Sequence, residues 1–286
     1  MKKAEELANH LVEEMENESD TIPRLISRRM RAATLIAMGR SPEALADLKI
    51  SYALYEASQI TDFAARFAQD PGVQIWSYEL LALWMTGRDD EAVSLTQKAM
   101  ERARELNHAN TICYAGLHAV TLAFWRGDVE GGRAVNEEMR RIAFEHDMAL
   151  WKIYCSLHEA ELACMEDGED AAGKLDAALD DYKESGCGLW ITLYLAEQAK
   201  FHLRRDDLDS ARKSIARARD EMDESGEEWA KSELCRIEGE IHLREGNRER
   251  AKKVFEGAIE IARYQDAQAL ELAAMHALER LANNVG

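Results

Sequence analysis

The chain has 286 residues, 54 acidic against 36 basic, and a formal net charge of −18. That balance argues against a phosphate backbone as partner, because nucleic-acid affinity rests on clustered Lys and Arg. With 47% hydrophobic residues and three prolines, the composition suits one long helical array and leaves no Pro-rich or Gly/Ser-rich linker between two halves.

The start, Met1-Lys2-Lys3-Ala4-Glu5-Glu6-Leu7, runs into charge where a secretory signal would be apolar, so none is expected. No stretch is apolar for long enough to span a bilayer. An opening helix near 1–18 is followed by a pair near 22–57 that turns at Gly39-Arg40-Ser41-Pro42. The stretch Gln59 to Gly72 then interrupts the rhythm, with Asp70-Pro71-Gly72 resetting the direction of the chain. Further pairs are predicted near 72–107, 109–147, 149–185, 188–225 and 227–264, and a last helix near 267–283. Apolar positions recur at i, i+3, i+4 and i+7 throughout, and no segment alternates with period two.

Two series of markers make these pairs a repeat. Trp151, Trp190 and Trp229 stand 39 residues apart, each expected a few residues into a helix, and Ile112 extends the series backward. Half a period away lie the turns at Gly87, Gly127, Gly168, Asp206-Asp207 and Gly246. Glycine there supplies a left-handed helix end, and the Asp, Asn or Ser beside it can cap the next helix. Small residues also fall into register. Gly239 lies on a first helix, with Ala251, Phe255 and Ala258 on the second; Ala199, Ala211 and Ala218 hold the same places one repeat earlier. This is the tetratricopeptide pattern, in which small residues let antiparallel helices approach and a larger one fills the groove between them. The expected fold is therefore all-α: one tetratricopeptide-like right-handed solenoid of antiparallel helix pairs over 1–286, with a C-terminal capping helix. The match departs from the pattern in its period near 39 against the usual 34. Gly132 and Asn136 also stand where Ala and an apolar residue belong, and the Gly168 repeat fits only with a shift.

Leu54-Tyr55, the block Gln69-Asp70-Pro71-Gly72-Val73 followed by Leu83-Trp84 and Gly87, and the run from Glu228-Trp229 to Gly239-Glu240 carry a closer resemblance. Over nearly its whole length the chain resembles the C-terminal tetratricopeptide region of large bacterial signalling proteins. In these a class III adenylate/guanylate cyclase domain, or a DNA-binding domain in related transcription activators, is joined to a P-loop ATPase and then to such an array. The resemblance implies a sensor or scaffold part without the catalytic parts, since no G-x-x-x-x-G-K-[ST] stretch is present.

Candidate chemistry is sparse. His158-Glu159 lacks the second histidine of a zincin helix, and His118 with His158, like His202 with His242, is spaced by 40 as equivalent repeat positions would be. The five cysteines are scattered without a C-x-x-C pair, which suits reduced thiols in a cytoplasmic protein; Cys187, between Gly186 and Gly188, is expected to be the accessible one. No catalytic residue, metal or cofactor is expected. In a tetratricopeptide array the first helix of each pair lines the concave face. Counting from Gly87 and Gly127 points Gln74, Ser77, Trp84, Tyr114, Leu117 and Phe124 toward it. His158, Lys200 and Arg204 follow, then Glu233, Arg236, Glu240 and Arg244, so the groove grades from aromatic to charged. Such a groove suits a protein or peptide segment, including the cyclase or ATPase part of its own signalling protein. The alternative is a small-molecule sensor whose ligand changes the curvature of the array. Nucleic acid and membrane are not expected partners.

Overall fold

The structure is a computed structural model describing residues 1–58 and 62–283. Among these residues there are fifteen helices and no strand. The opening helix is α1 (Lys2–Met15), and the pairs are α2 (Thr21–Ala37) with α3 (Ser41–Ala57), α5 (Pro71–Met85) with α6 (Asp89–Glu105), and α7 (Ala109–Trp125) with α8 (Val129–Glu145). They continue as α9 (Ala149–Met165) with α10 (Ala171–Glu184), α11 (Ile191–Arg204) with α12 (Leu208–Ser225), and α13 (Lys231–Arg244) with α14 (Arg248–Tyr264), and the chain closes on α15 (Gln268–Asn283). The helix absent from the sequence reading is the short α4 (Phe63–Phe67), inside the stretch that interrupts the rhythm. The first three residues of that stretch, 59–61, lie outside the described residues, as do 284–286. No described helix is long and apolar enough to cross a membrane.

The chain packs as two compact units, Met1–Ile36 with Arg40–Glu159 and Ala37–Gly39 with Ala160–Gly286. In the first, α5 packs against α3, α6 and α7, and α7 against α8. The distinctive block near residue 70 is a helix start. Asp70 caps α5 by accepting from the Val73 N–H at 3.0 Å, Pro71 takes the first helical position, and the Tyr55 hydroxyl donates to Asp70 at 3.1 Å. Gly72 lies under the Tyr55 ring, where a Cβ would come within 2.6 Å of ring carbons. In the second unit α13 packs against α11, α14 and α15. Gly239 of α13 has the Phe255 ring against it, with 2.4 Å from a built Cβ to ring Cε1. Ala199, Ala211, Ala218, Ala251, Phe255 and Ala258 are all fully buried.

Gly39, Gly87, Gly127 and Gly246 end their helices with φ between 72° and 79°. Capping of the following helix is divided. Asp128 and Asp207 accept from Gly131 and Ser210 N–H groups, whereas Arg40 and Arg88 hold Glu43 and Glu91 three residues on. The shifted repeat has a local cause: its turn, 166–170, is two residues longer than 126–128 or 205–207, and Asp167 and Asp170, not Gly168, carry the positive φ. Trp151 is inside α9 as expected, but Trp190 and Trp229 sit in the turns before α11 and α13. Their rings meet at 5.1 Å, and buried Glu227 accepts from the Trp190 N–H and the Trp229 Nε1. These two tryptophans lock turns in place of lining helices.

Candidate ligand-binding walls

The first unit carries a continuous run of rings on its first-of-pair helices. Tyr78 of α5 meets Tyr114 and His118 of α7 at 6.4 and 5.2 Å, and Tyr114 meets Trp151 of α9 edge-on at 6.3 Å. Trp151 lies 5.6 Å from Tyr154, which continues to His158 at 6.5 Å. The arrangement follows from the repeat. Positions 74, 114 and 154 are 40 residues apart, 78, 118 and 158 likewise, and the two sets are four residues apart, so both lie on one helical face. A polar chain ties the edge of this wall: Gln74 donates to Gln69, Gln69 to Asn110 at 3.3 Å, and Trp151 Nε1 also to Asn110 at 2.6 Å.

The wall is electrically neutral. His118 donates from Nδ1 to the Tyr114 carbonyl at 2.9 Å, and burial lowers its pKa to about 4. Burial, with His118 adding to it, lowers that of His158 to about 3. Burial holds the Tyr114 hydroxyl well above the ordinary tyrosine range. Asn136, the residue out of pattern, gives its Nδ2 to the Cys155 carbonyl at 3.2 Å and turns its Oδ1 to His158 Nδ1 at 3.1 Å. Nδ1 therefore carries the proton and Nε2 is left as an acceptor. That Nε2 is buried and without a hydrogen-bond partner.

Several residues expected in the groove have other places. Ser77 is fully buried and donates to the Val73 carbonyl, so Tyr78, one residue on, occupies the wall instead. Phe124 is buried against Gly132 of α8, where a Cβ would come within 2.3 Å of its ring; this explains the glycine in a position that otherwise takes Ala. His158 is buried behind the wall, not exposed upon it. Trp84 meets Trp125 at 4.8 Å with the rings tilted by 35°, at the end of α5. Gln74, Tyr114 and Leu117 are half-buried. The sequence reading missed the roles of Tyr78, His118, Trp151 and Tyr154; the 40-residue histidine spacing was the signal for them.

The charged residues expected in the groove of the second unit are held by neighbouring side chains. Arg236 forks onto Glu233 with both bonds at 2.7 Å, Lys200 pairs with Glu197 at 2.5 Å, and Arg204 bonds Asp167 at 2.9 Å and the Cys164 carbonyl. Arg280 takes Glu240 at 2.6 Å and Arg244 takes Asp206 at 3.3 Å. Burial pushes down the Lys200 pKa, but Glu197 and Glu233 outweigh it and the net direction is up. Behind them Glu161 is buried, and burial together with the Glu197 charge raises its pKa to about 8. Cys113, Cys155 and Cys164 are pushed up to about 12, chiefly by burial, which keeps them as thiols; Cys187 is half-exposed. No cluster of three His, Cys, Asp or Glu side chains suited to a metal occurs among the described residues.

No family model matches the chain, and no curated protein matches it. Solved structures do. One, a Rap protein complexed with Competence and Sporulation Factor, superposes with a TM-score of 0.60 at 14% identity, covering 98% of this chain and 70% of that one. A tetratricopeptide repeat protein from Parabacteroides merdae gives 0.46 at 12% identity, covering 96% of this chain and 99% of that one. The fold is thus all-α and tetratricopeptide-like.

Proposed function

We propose that the chain is a non-enzymatic interaction module that holds an extended peptide or protein segment against the Tyr78–Tyr114–Trp151–Tyr154 wall. The observation that carries this reading is the uncharged ring ladder itself. Half-buried tyrosine faces offer stacking area at little entropic cost, and their hydroxyl groups offer hydrogen bonds to a backbone. The second unit supports the same choice by contrast, since Lys200, Arg204, Arg236 and Arg244 already have carboxylate partners and are poorly placed to accept a new one. The Rap protein of similar fold was solved with a bound factor, and the resemblance to cyclase-linked arrays points to regulation. The natural partner is then a segment of a bacterial signalling protein, its cyclase or ATPase part included, in the cytoplasm. A small metabolite held by the same rings is the second reading, favoured by the unpartnered Nε2 of His158.

Selection from a peptide library tests the proposal, comparing the wild type with the double variant Tyr114→Leu/Tyr154→Leu, which removes ring faces at similar bulk. Enrichment of related sequences by the wild type and at least tenfold weaker capture by the variant is the expected result. Equal capture by both proteins would move the site elsewhere. A metabolite that raises the melting temperature, with no peptide enriched, would favour the sensor.

A further inference from the structure

The last helix leaves part of its own repeat surface uncovered. Ala274, Ala277 and Leu281 of α15 stand 40 residues after Leu234, Ile237 and Ile241 of α13, and all six are buried. Two positions break the correspondence. Ser232 and Gly239 are buried because α14 lies on them: Ser232 donates to the Ala258 carbonyl at 2.9 Å, and Gly239 faces the Phe255 ring. Their counterparts 40 residues on, Leu272 and Glu279, are exposed. Leu272, Met275 and Glu279 fall at i, i+3 and i+7, so one stripe of α15 lies where the second helix of a pair packs. Beside it runs a groove of about 530 Å³, floored by Ile259, Met275 and Leu278 and rimmed by Glu256, Glu260 and Glu279. The corresponding groove on α6 and α7, at Gln97, Met100 and Ala119, has α8 as a third wall through Gly131 and Val135. A terminal repeat ordinarily turns a polar face outward; this one keeps apolar groups in the open, with Tyr264 88% exposed at the end of α14.

We propose that this groove docks a basic amphipathic helix of a partner protein, which takes on α15 the place that α14 takes on α13. The groove belongs to the second unit and the ring wall to the first, so its occupant is a second ligand. Charge selects that occupant. Glu260 and Glu279 have no ion-pair partner among the described residues. Glu256 has Lys252 at 3.9 Å, an exposed pair that contributes little. Arg263, the cation lining the groove, is committed to Glu271 at 2.7 Å. Three carboxylates around an apolar floor complement a helix with apolar residues at i, i+3 and i+7 flanked by Lys or Arg. A second copy of this chain fits poorly, because a two-fold contact sets the same patch against itself and brings these carboxylates together.

The probes are two synthetic helices of about five turns, each with leucine at i, i+3, i+4 and i+7, one with lysine at the remaining positions and the other with glutamate. Binding to the full chain is followed by fluorescence anisotropy at physiological salt and located by hydrogen exchange. The lysine helix is expected to bind at least tenfold tighter than the glutamate helix and to slow exchange in 256–263 and 272–279. Glu260→Lys/Glu279→Lys is expected to weaken it at least tenfold. Asp180→Lys/Asp181→Lys, an equal change of charge on exposed residues of α10, is expected to weaken it less than threefold. Leu272→Ser is expected to weaken it at least threefold at an unchanged melting temperature. Equal losses from the two charge reversals would reduce the effect to general attraction toward an acidic chain and overturn the site. No binding, or protection located in α5, α7 and α9, would overturn it too. Sedimentation of the chain alone covers the other occupant: a dimer dispersed by Leu272→Ser would put a second copy in the groove and refute the basic helix.

Discussion

Glu161 shows what burial does to a single group in this chain. It lies beside Glu197 in the second unit, and burial, then the neighbouring charge, raises its pKa to about 8. The native state therefore holds a proton that the unfolded chain releases near the ordinary glutamate value of about 4.3. Stability from this group is fully present below that value and lost as pH rises toward 8, since the native state binds more protons across that window. Glu161→Gln should then leave the melting temperature at pH 5 nearly unchanged and raise it at pH 8, by a margin of up to a few kcal/mol in stability. Parallel pH profiles for the two proteins would refute this assignment. None of this could be read from the sequence, because pattern shows which face a glutamate occupies but not the carboxylate across from it. The ring wall was half legible for a similar reason. The 40-residue spacing of His118 and His158 was visible, yet the face running from Gln74 was continued to Ser77 at i+3, where the ring stands at i+4 on Tyr78. One residue is about 100° around a helix, enough to put Ser77 where Tyr78 belongs. The orphan Nε2 of His158 depends on the Asn136 side chain, which pattern alone marks only as an exception.

Helices and turns were legible because their chemistry is local. The glycine turns, the Asp70-Pro71 helix start and the alternation of small and large residues each act within a few positions. The failures were also local: the longer turn at 166–170 uses two aspartates in the left-handed region, which a search for glycine passes over. Helix packing yields two predictions. Gly239→Leu places a side chain where a Cβ alone would meet the Phe255 ring at 2.4 Å, and should cost roughly 1–3 kcal/mol by chemical denaturation. An unchanged midpoint would remove the close approach from the account. Deleting 268–283 should uncover Ala251 and Phe255, which cluster with Ala277 and Leu281. The buried face of α15 is Leu270, Ala274, Ala277 and Leu281, while Leu272 is 53% exposed. The truncated chain is accordingly expected to aggregate or melt lower; full solubility at an unchanged melting temperature would contradict a capping role. Leu272→Ser should leave both properties alone.

For the molecule as a whole, periodic sequence determines an array and leaves its ligand open, because the same helix pairs support many surfaces. What distinguishes this array is where its polar groups find partners. Ion pairs among Lys200, Arg204, Arg236 and their carboxylates close the charged wall of the second unit on itself. The first unit presents rings, and although buried polar atoms are unmet in both units, among them His158 Nε2 in the first and Gln265 Oε1 in the second, the His158 acceptor is the one that lies behind the rings. Hydrogen exchange measured with and without a library-selected peptide tests that asymmetry most directly. The account predicts slowed exchange in α5, α7 and α9, around Tyr78, Tyr114 and Trp151, with 191–283 unchanged. Protection confined to α11 and α13, around Lys200 and Arg236, would contradict it.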